Sequence, residues 1–296
     1  MNHVVILFYK YAKVADPARL VADQQALCAK LGLKGRVLIA AEGINGTLEG
    51  AADKIEEYCQ ALHAVPELSD VVFKKSAGTG KTFPKLKVKL RGDIVANSIN
   101  EWGVDPERQT GKRLAPDELH QWIREGRDIH IVDMRNDYEQ KSGRFEGSIL
   151  PGLKNFRDLP DALPALAHLK DKKVVTVCTG GVRCEKASAL LLKHGFADVS
   201  QLDGGIVTYM EKYPNQDFKG KLYVFDERLV MGFETDSAAH EVVGKCDKCG
   251  ATCDQYVNCS NKLCNLHFIC CADCHADPEG KTKFCSERCA AVVFSL

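Results

Sequence analysis

The sequence lacks three features that would each define a class of protein. It has no run of about 18 apolar residues, and the apolar segment from Val4 to Phe8 is too short for the core of a signal peptide. It has no excess charge, because 40 Lys and Arg residues balance 40 Asp and Glu residues. It has no Gly-x-Gly-x-x-Gly motif after a strand, which argues against a dinucleotide-binding site. We therefore expect a soluble cytoplasmic protein with no membrane partner and no organic cofactor, in which any nucleic-acid-binding surface is local.

Cysteine, in contrast, is abundant and concentrated at one end of the chain. Ten of the 14 cysteines lie between Cys246 and Cys289, in Cys-x-x-Cys and related spacings. Because a reducing compartment keeps thiols from pairing, such a cluster indicates metal binding and not disulfides. Cys178 lies outside this cluster, in a different context.

Cys178 follows a β-branched run and precedes an amphipathic one. The pattern predicts a strand over Lys173–Val177, a tight turn, and a helix that stops at His194-Gly195. Backbone N–H groups of such a turn favour an anion at its centre, which would lower the pKa of the Cys178 thiol. Arg183 adds positive charge, so Cys178 and Arg183 are the candidate catalytic residues; an inert buried thiol is the alternative. The supporting loop residues are Thr179, Gly180, Gly181, Val182 and Cys184.

The spacing within this loop separates two classes of enzyme. Cysteine-dependent phosphatases need five residues between the Cys and the Arg, whereas Arg183 comes one residue too early and Cys184 occupies the place of that Arg. The loop instead resembles that of rhodanese domains, which carry a persulfide on the equivalent Cys. The longer segment from Cys178 to Ser188 resembles, more narrowly, the bacterial rhodanese-like tRNA uridine hydroxylases. That resemblance implies O2 as co-substrate, the tRNA anticodon loop as partner, and 5-hydroxyuridine at wobble position 34 as product.

In the first segment, residues 1–95, the predicted elements follow the order βαββαβ with one further strand. This order predicts a ferredoxin-like α+β domain. The predicted strands include Val71–Lys75 and Leu86–Val95, and Asp16 is the predicted N-cap of the first helix. Two short segments resemble the amino-terminal domain of the tRNA uridine hydroxylase family, namely Phe8-Tyr9-Lys10-Tyr11 and Ala41-Glu42-Gly43-Ile44-Asn45.

The last strand of this segment carries the densest basic stretch of the chain. Its cationic residues alternate with apolar ones, and they are Lys85, Lys87, Lys89 and Arg91. One interpretation is a solvated edge strand whose lysines oppose aggregation. The other is a surface that follows the phosphates of an RNA, and periodicity leaves both open.

Residues 96–116 show little periodicity and predict a linker, and residues 117–217 then alternate strands with helices. This alternation predicts a parallel sheet covered on both faces, with its site at the carboxyl ends of the strands, where Cys178 stands. The rhodanese resemblance covers this domain through Asp133-Met134-Arg135 and Leu202-Asp203-Gly204-Gly205. Asp133 and Arg135 either support the chemistry or form a structural ion pair. Arg144 stands where such domains commonly have a histidine, so no histidine is assigned there.

Residues 218–296 contain the cysteine cluster, which has too few apolar residues to fold without metal. Thiolate pairs two to four residues apart suit tetrahedral zinc, and the Cys-x2-Cys-x2-Cys run of bacterial ferredoxins is absent. We predict two structural zinc ions and no catalytic metal. The first ion is assigned to Cys246, Cys249, Cys271 and Cys274, and the second to Cys259, Cys264, Cys285 and Cys289; Cys270 competes with Cys271.

The sequence therefore predicts an α/β multidomain protein, and three functions are compatible with it. By resemblance, the first is hydroxylation of a tRNA uridine through Cys178. The second is sulfur transfer through a persulfide on Cys178. The third is a non-catalytic module that binds RNA or protein, and the intact Cys178 loop argues against it.

Overall fold

The computed structural model describes residues 2–95, 100–264, 266–276 and 283–294. Within these ranges the chain forms a first α+β domain, a second domain built on a parallel sheet, and a cysteine-rich region that packs on the second domain. The predicted α/β multidomain class is confirmed. No helix in the described parts of the chain combines the length and apolar character that a membrane span requires.

The first domain is a five-stranded sheet in the order β4-β1-β3-β2-β5, covered by two helices on one face. Neighbouring strands of this sheet run antiparallel, except for β2 and β5, which run parallel to each other. The order of its first four strands confirms the predicted ferredoxin-like fold. The elements are β1 His3–Tyr11, α1 Pro17–Lys30, β2 Lys34–Ala40, β3 Gly43–Ala51, α2 Ala52–His63, β4 Lys74–Gly78 and β5 Leu86–Leu90.

Helix α1 begins as predicted, because the Asp16 carboxylate accepts a hydrogen bond from the backbone N–H of Arg19 at 2.9 Å. Two predicted strands differ from the structure. Strand β4 begins at Lys74, three residues later than predicted, and β5 ends at Leu90 and not at Val95. The Arg91 N–H still donates to the Ile39 carbonyl, but the residues after it are no longer paired as a strand, and Ile94 is buried through a cluster with Tyr11 and Ala40.

The two faces of the first sheet have different partners. One face packs its apolar side chains, such as Ile6 and Phe8, against α1 and α2. Because side chains alternate along a strand, Val5, Leu7 and Tyr9 lie on the other face, where they line a cavity against the second domain. The free face of this sheet is therefore the surface that approaches Cys178.

The second domain is a parallel sheet in the order β6-β10-β9-β7. Helices α5 and α6 pack on one face and α3 and α7 on the other, so the apolar runs of β7 and β9 are buried on both sides. Its elements are β6 Lys112–Leu114, α3 Pro116–Arg124, β7 Ile129–Asp133, α4 Asp137–Gln140, β8 Gly143–Phe145, α5 Leu159–Leu166, β9 Lys173–Val177, α6 Val182–Lys193, β10 Asp198–Leu202 and α7 Gly205–Lys212.

The prediction of a linker over residues 96–116 differs from the structure in both halves of that range. Lys112–Leu114 pair in parallel with β10 as an edge strand, and Trp102 is buried in the core of the second domain. A strand of three residues is too short to give a periodic signal. We propose that the second domain begins at Trp102 and otherwise keep the bounds predicted from the sequence; residues 96–99 lie outside the described ranges.

The cysteine-rich region begins as an extension of the second domain. Strand β11 pairs with β8, and a short hairpin of β12 and β13 follows it. The cysteines themselves surround the hairpin of β14 and β15 and two short helices. These elements are β11 Phe218–Gly220, β12 Leu222–Tyr223, β13 Val230–Met231, β14 Tyr256–Asn258, β15 His267–Ile269, α8 Ala272–His275 and α9 Glu287–Phe294.

Candidate active site

Cys178 stands between the end of β9 and the start of α6, as the sequence predicts. Its side chain is buried, and its sulfur accepts a hydrogen bond from the backbone N–H of Gly181 at 3.2 Å. Gly181 has a φ of 101° and precedes the first residue of α6. The turn therefore folds back on the thiol and points backbone N–H groups at it, which is the arrangement that favours an anion.

The pKa of the Cys178 thiol is lowered to about 6. Burial alone would raise this pKa, but the Cys184 thiol, the charge of Arg183 and the backbone N–H groups of Arg183 and Cys184 outweigh it. The pKa of Cys184 is raised by burial and by the neighbouring Cys178. Cys178 is accordingly the thiolate of the pair at neutral pH, and Cys184 is the thiol that donates to it.

Arg183 is held by a carboxylate that the sequence did not identify. Its two terminal nitrogens contact Glu139 Oε1 at 2.6 Å and Glu139 Oε2 at 2.8 Å, and one of them also contacts the Thr179 hydroxyl at 3.3 Å. Both Arg183 and Glu139 are buried. The guanidinium lowers the pKa of Cys178, but its terminal donors point at protein groups. No local pattern in the sequence links Glu139, on the short helix α4, to a loop 44 residues later.

Asp133 and Arg135 form an ion pair that is completely buried. Arg135 Nε donates to Asp133 Oδ1 at 2.9 Å, and its terminal nitrogens donate to the carbonyls of Glu139 and Gly143. The pair does not line the Cys178 cavity described below; it fixes the backbone of α4, which carries Glu139. Of the two interpretations left open by the sequence, this geometry favours the structural ion pair.

The first domain contacts the Cys178 loop directly. Tyr11 Oη donates to the Val182 carbonyl at 3.2 Å, and Lys74 Nζ donates to the Gly180 carbonyl at 2.9 Å. A Cβ on Gly180 would lie 2.6 Å from Leu7 Cδ2, so any larger residue here would displace the Leu7 side chain. Three of these five residues, Tyr11, Lys74 and Leu7, lie on strands that no local sequence pattern places beside the loop.

A cavity of about 360 Å³ lies between the free face of the first sheet and the Cys178 loop. This volume falls in the usual range for small-ligand pockets, about 300–1,000 Å³. The loop contributes Cys178 and Arg183, and the hairpin of β12 and β13 closes one side. Residues that line it from other elements include Leu7, Tyr9, Arg36, Leu38, Asn45, Lys74, Asn136, Arg157, Val207, Leu222, Phe225 and Arg228.

The basic strand β5 lies on the edge of the first sheet, next to this cavity. Lys85, Lys87 and Lys89 are exposed, and Lys87 pairs in register with Arg36 on β2. A smaller cavity is lined by Arg36, Lys87, Lys89 and Arg91, and Arg36 also lines the Cys178 cavity. The cationic side chains of β5 are therefore continuous with the mouth of the candidate active site.

The structure brings the eight assigned cysteines together in two groups of four. One consists of Cys246, Cys249, Cys271 and Cys274 and the other of Cys259, Cys264, Cys285 and Cys289, and the sulfurs of each group lie within 4.8 Å of one another. These are the groups that the spacing predicts, with Cys271 and not Cys270 as a member.

Both groups have the geometry of closed tetrahedral thiolate sites. The Cys249–Cys271 and Cys264–Cys285 sulfur pairs are each separated by 3.6 Å. A Zn–S bond of about 2.3 Å gives sulfur–sulfur separations of about 3.8 Å in a tetrahedron. The Cys246 and Cys259 sulfurs also accept backbone N–H groups from Cys271 and Cys285. These residues fit a metal ion in each group, and four thiolates leave no open position for catalysis.

The fold and the loop together define a protein with a rhodanese-like domain between two accessory regions. Three family models match: the "UPF0176 acylphosphatase like domain" over residues 3–94, the "Rhodanese-like domain" over residues 115–212, and the "Rhodanase C-terminal" model over residues 219–290.

Relatives match over nearly the whole chain. A tRNA uridine(34) hydroxylase of Cytophaga hutchinsonii is 40% identical over 288 residues, covering 97% of this chain and 90% of its own. A tRNA uridine(34) hydroxylase of Staphylococcus aureus strain JH9 is 42% identical over 296 residues, covering 98% and 90%. The chain belongs to the tRNA uridine(34) hydroxylase family.

Proposed function

We propose that this protein hydroxylates uridine 34 of tRNA to 5-hydroxyuridine, with Cys178 as the nucleophile and O2 as the co-substrate. The observation that carries the proposal is that the family's full-length similarity coincides with a buried thiolate that faces a cavity of nucleobase size. A base has to leave its stack to reach this cavity, which suits a uridine of the anticodon loop. We also propose that the protein acts in the cytoplasm and that its two groups of four cysteines hold zinc.

The chemistry follows from the electrophilic character of uracil. The Cys178 thiolate adds to C6 and forms an S–C6 bond, while the electron pair of the C5=C6 bond moves towards C5 and the C4 carbonyl oxygen. The resulting enolate makes C5 nucleophilic, and C5 is the atom that has to acquire oxygen. Over the whole reaction C5–H becomes C5–OH, the second atom of O2 leaves as water, and an external reductant supplies two electrons.

A reconstituted reaction with an isotope label tests the proposal. Purified protein, tRNA and a chemical reductant under ¹⁸O2 are expected to give 5-hydroxyuridine that carries one ¹⁸O atom. Cys178→Ser is expected to give none. Accurate mass is needed because replacement of oxygen by sulfur has the same nominal mass as hydroxylation.

The same experiment distinguishes sulfur transfer, the second candidate function. A thiolate held by backbone N–H groups also suits a persulfide carrier, and a rhodanese-like model matches this domain. Sulfur in the base, formed without O2 when a sulfur donor is present, would assign the protein to the sulfurtransferases. Product without a label under ¹⁸O2 would likewise contradict the proposed hydroxylation.

A further inference from the structure

Lys74 comes from the first domain and reaches the Cys178 loop of the second. It is the first residue of β4, and it pairs with Leu7 of β1, so both side chains lie on the free face of the sheet. Its ammonium group donates to the Gly180 carbonyl at 2.9 Å and lies 5.2 Å from the centre of the Tyr9 ring. Lys74 and Cys178 line the same cavity.

Lys74 differs from two other cations near the loop in what it contacts. Arg183 is paired with Glu139, and Lys186 is paired with Glu42 and Asp93. The contacts of Lys74 in the described structure are a neutral carbonyl and an aromatic ring, and no carboxylate lies within ion-pair distance of it. An ammonium group has three donors, so Lys74 keeps capacity to bind an anion that forms in the cavity.

The charge of Lys74 is coupled to that of Cys178. Burial lowers the pKa of Lys74 to about 8, and the Cys178 thiolate opposes this shift. The carboxylates of Asp203 and Glu185 also raise the pKa of Lys74, whereas the positive charge of Arg113 lowers it. Coupling between two ionisations is reciprocal, so the Lys74 cation favours the Cys178 thiolate. Between about pH 6 and pH 8 both groups are charged in most molecules.

We propose that Lys74 is the catalytic cation that stabilises the negative charge developing on the uracil C4 carbonyl oxygen when Cys178 adds to C6. The inference rests on the proposed function. In this step the S–C6 bond forms and the C5=C6 electron pair moves towards the carbonyl oxygen. The Lys74 ammonium donates a hydrogen bond to that oxygen, and this bond strengthens as negative charge develops there. No proton has to leave Lys74. The first domain thereby completes an active site whose nucleophile belongs to the second.

Three variants of the full-length protein test this role. Lys74→Met removes the charge and keeps the length of the side chain. Lys74→Arg keeps a charge that does not titrate below pH 12. Lys54→Met is the control, because Lys54 lies on α2 and pairs with Glu57 on the opposite face of the sheet. Two measurements are made: the Cys178 thiolate titration, from ultraviolet absorbance against a Cys178→Ser blank, and the pH profile of hydroxylation with an anticodon stem-loop RNA.

Lys74→Met is expected to raise the pKa of Cys178 and to lower kcat about 100-fold, the scale for loss of one group that stabilises an oxyanion. The activity of the parent protein is expected to fall above about pH 8, where Lys74 loses its charge. The activity of Lys74→Arg is expected to show no such fall, that is, no alkaline limb in its pH profile. Lys54→Met should match the parent in both measurements. An unchanged thiolate titration and kcat in Lys74→Met, or an alkaline limb that persists in Lys74→Arg, would overturn the inference. Because the titration needs no substrate, failure of the hydroxylation itself is recognised separately.

Discussion

At the scale of single residues, the site depends on which of two adjacent thiols is ionised. Cys178 and Cys184 are both buried, but only Cys178 receives the backbone N–H of Gly181. The pKa of Cys178 is lowered to about 6 and that of Cys184 is raised. A lowered pKa means that the thiolate persists as pH falls, until protonation near pH 6 removes the nucleophile.

We therefore expect the thiolate absorbance and the alkylation rate of Cys178 to reach half of their maximum near pH 6, against about 8.5 for a free cysteine. Peptide mapping after iodoacetamide treatment assigns the modified residue. Cys184→Ser should retain this behaviour because a hydroxyl also donates to the thiolate, whereas Cys184→Ala should raise the pKa of Cys178. The assignment is wrong if Cys178→Ser keeps the activity and Cys184→Ser abolishes it.

At the scale of elements, the Cys178 loop is supported by the first turn of α7. The Ile206 N–H donates to the Cys178 carbonyl at 2.9 Å, and Gly205, at φ 73°, lies directly under the loop. A Cβ on Gly205 would lie 2.7 Å from backbone atoms of Gly180 and Gly181. Close backbone packing between the two turns therefore sets the position of the thiol.

Gly205→Ala tests this packing, with Gly126→Ala as its control. Both glycines have a positive φ, but a Cβ on Gly126 would meet no atom within 4 Å. Gly126→Ala should lower the free energy of unfolding by about 1–2 kcal/mol through backbone strain alone. Gly205→Ala should lower it by about 1–3 kcal/mol more through overpacking, and should raise the pKa of Cys178. Equal effects in chemical denaturation would show that the contact between the turns is unimportant.

We expect the cysteine-rich region to draw its stability from the zinc ions proposed for its two groups of four cysteines. Cys246, Cys259 and Cys270 occupy the small core of this region together with Phe268 and Phe284. Elemental analysis should find two zinc ions per chain, and Cys271→Ser should lose one of them, while Cys253→Ser should keep both. A chelator should increase hydrogen exchange across β14 and β15 and leave the parallel sheet protected. Iron, or a folded region without metal, would contradict the zinc assignment.

How far the sequence predicts these elements depends on how local the determining contacts are. The strand, turn and helix around Cys178 and the grouping of the tail cysteines follow from residues close together in the chain. Glu139 and Lys74 could not be found in this way, because each reaches the loop from another element through tertiary packing. Strand β6 could not be predicted for the same reason, because its three residues form a strand only through pairing with β10.

At the scale of the whole molecule, the candidate active site lies between two domains that are also joined by ion pairs. Lys186, on α6, contacts Glu42 and Asp93 of the amino-terminal segment, and all but Glu42 are buried. Tyr9 donates to Glu185 at 3.1 Å beside them. Removal of one partner from such a network leaves a buried charge uncompensated, which is strongly destabilising. The domains are accordingly expected to keep the cavity in a fixed shape, so substrate RNA has to approach it from the rim.

The basic strand β5 is the part of this rim that we expect to bind phosphates. Arg36 links it to the Cys178 cavity, so a nucleotide chain whose target base enters the cavity can place neighbouring phosphates along β5. Replacement of Lys87, Lys89 and Arg91 by Gln should weaken binding of an anticodon stem-loop. It should also reduce the slope of log Kd against log salt by about 2, the value for three lost contacts with single-stranded RNA.

A second triple variant separates this local surface from general charge. Lys30, Lys54 and Lys170 lie on α1, on α2 and after α5, away from the residues that line the cavity. Their replacement by Gln removes the same net charge, so a nonspecific electrostatic effect would weaken RNA binding equally in both triple variants. We expect this second variant to bind with nearly the parent affinity and salt dependence in fluorescence anisotropy. If the β5 variant instead bound as tightly as the control at every salt concentration, its lysines would serve only to keep an exposed sheet edge from pairing with another chain.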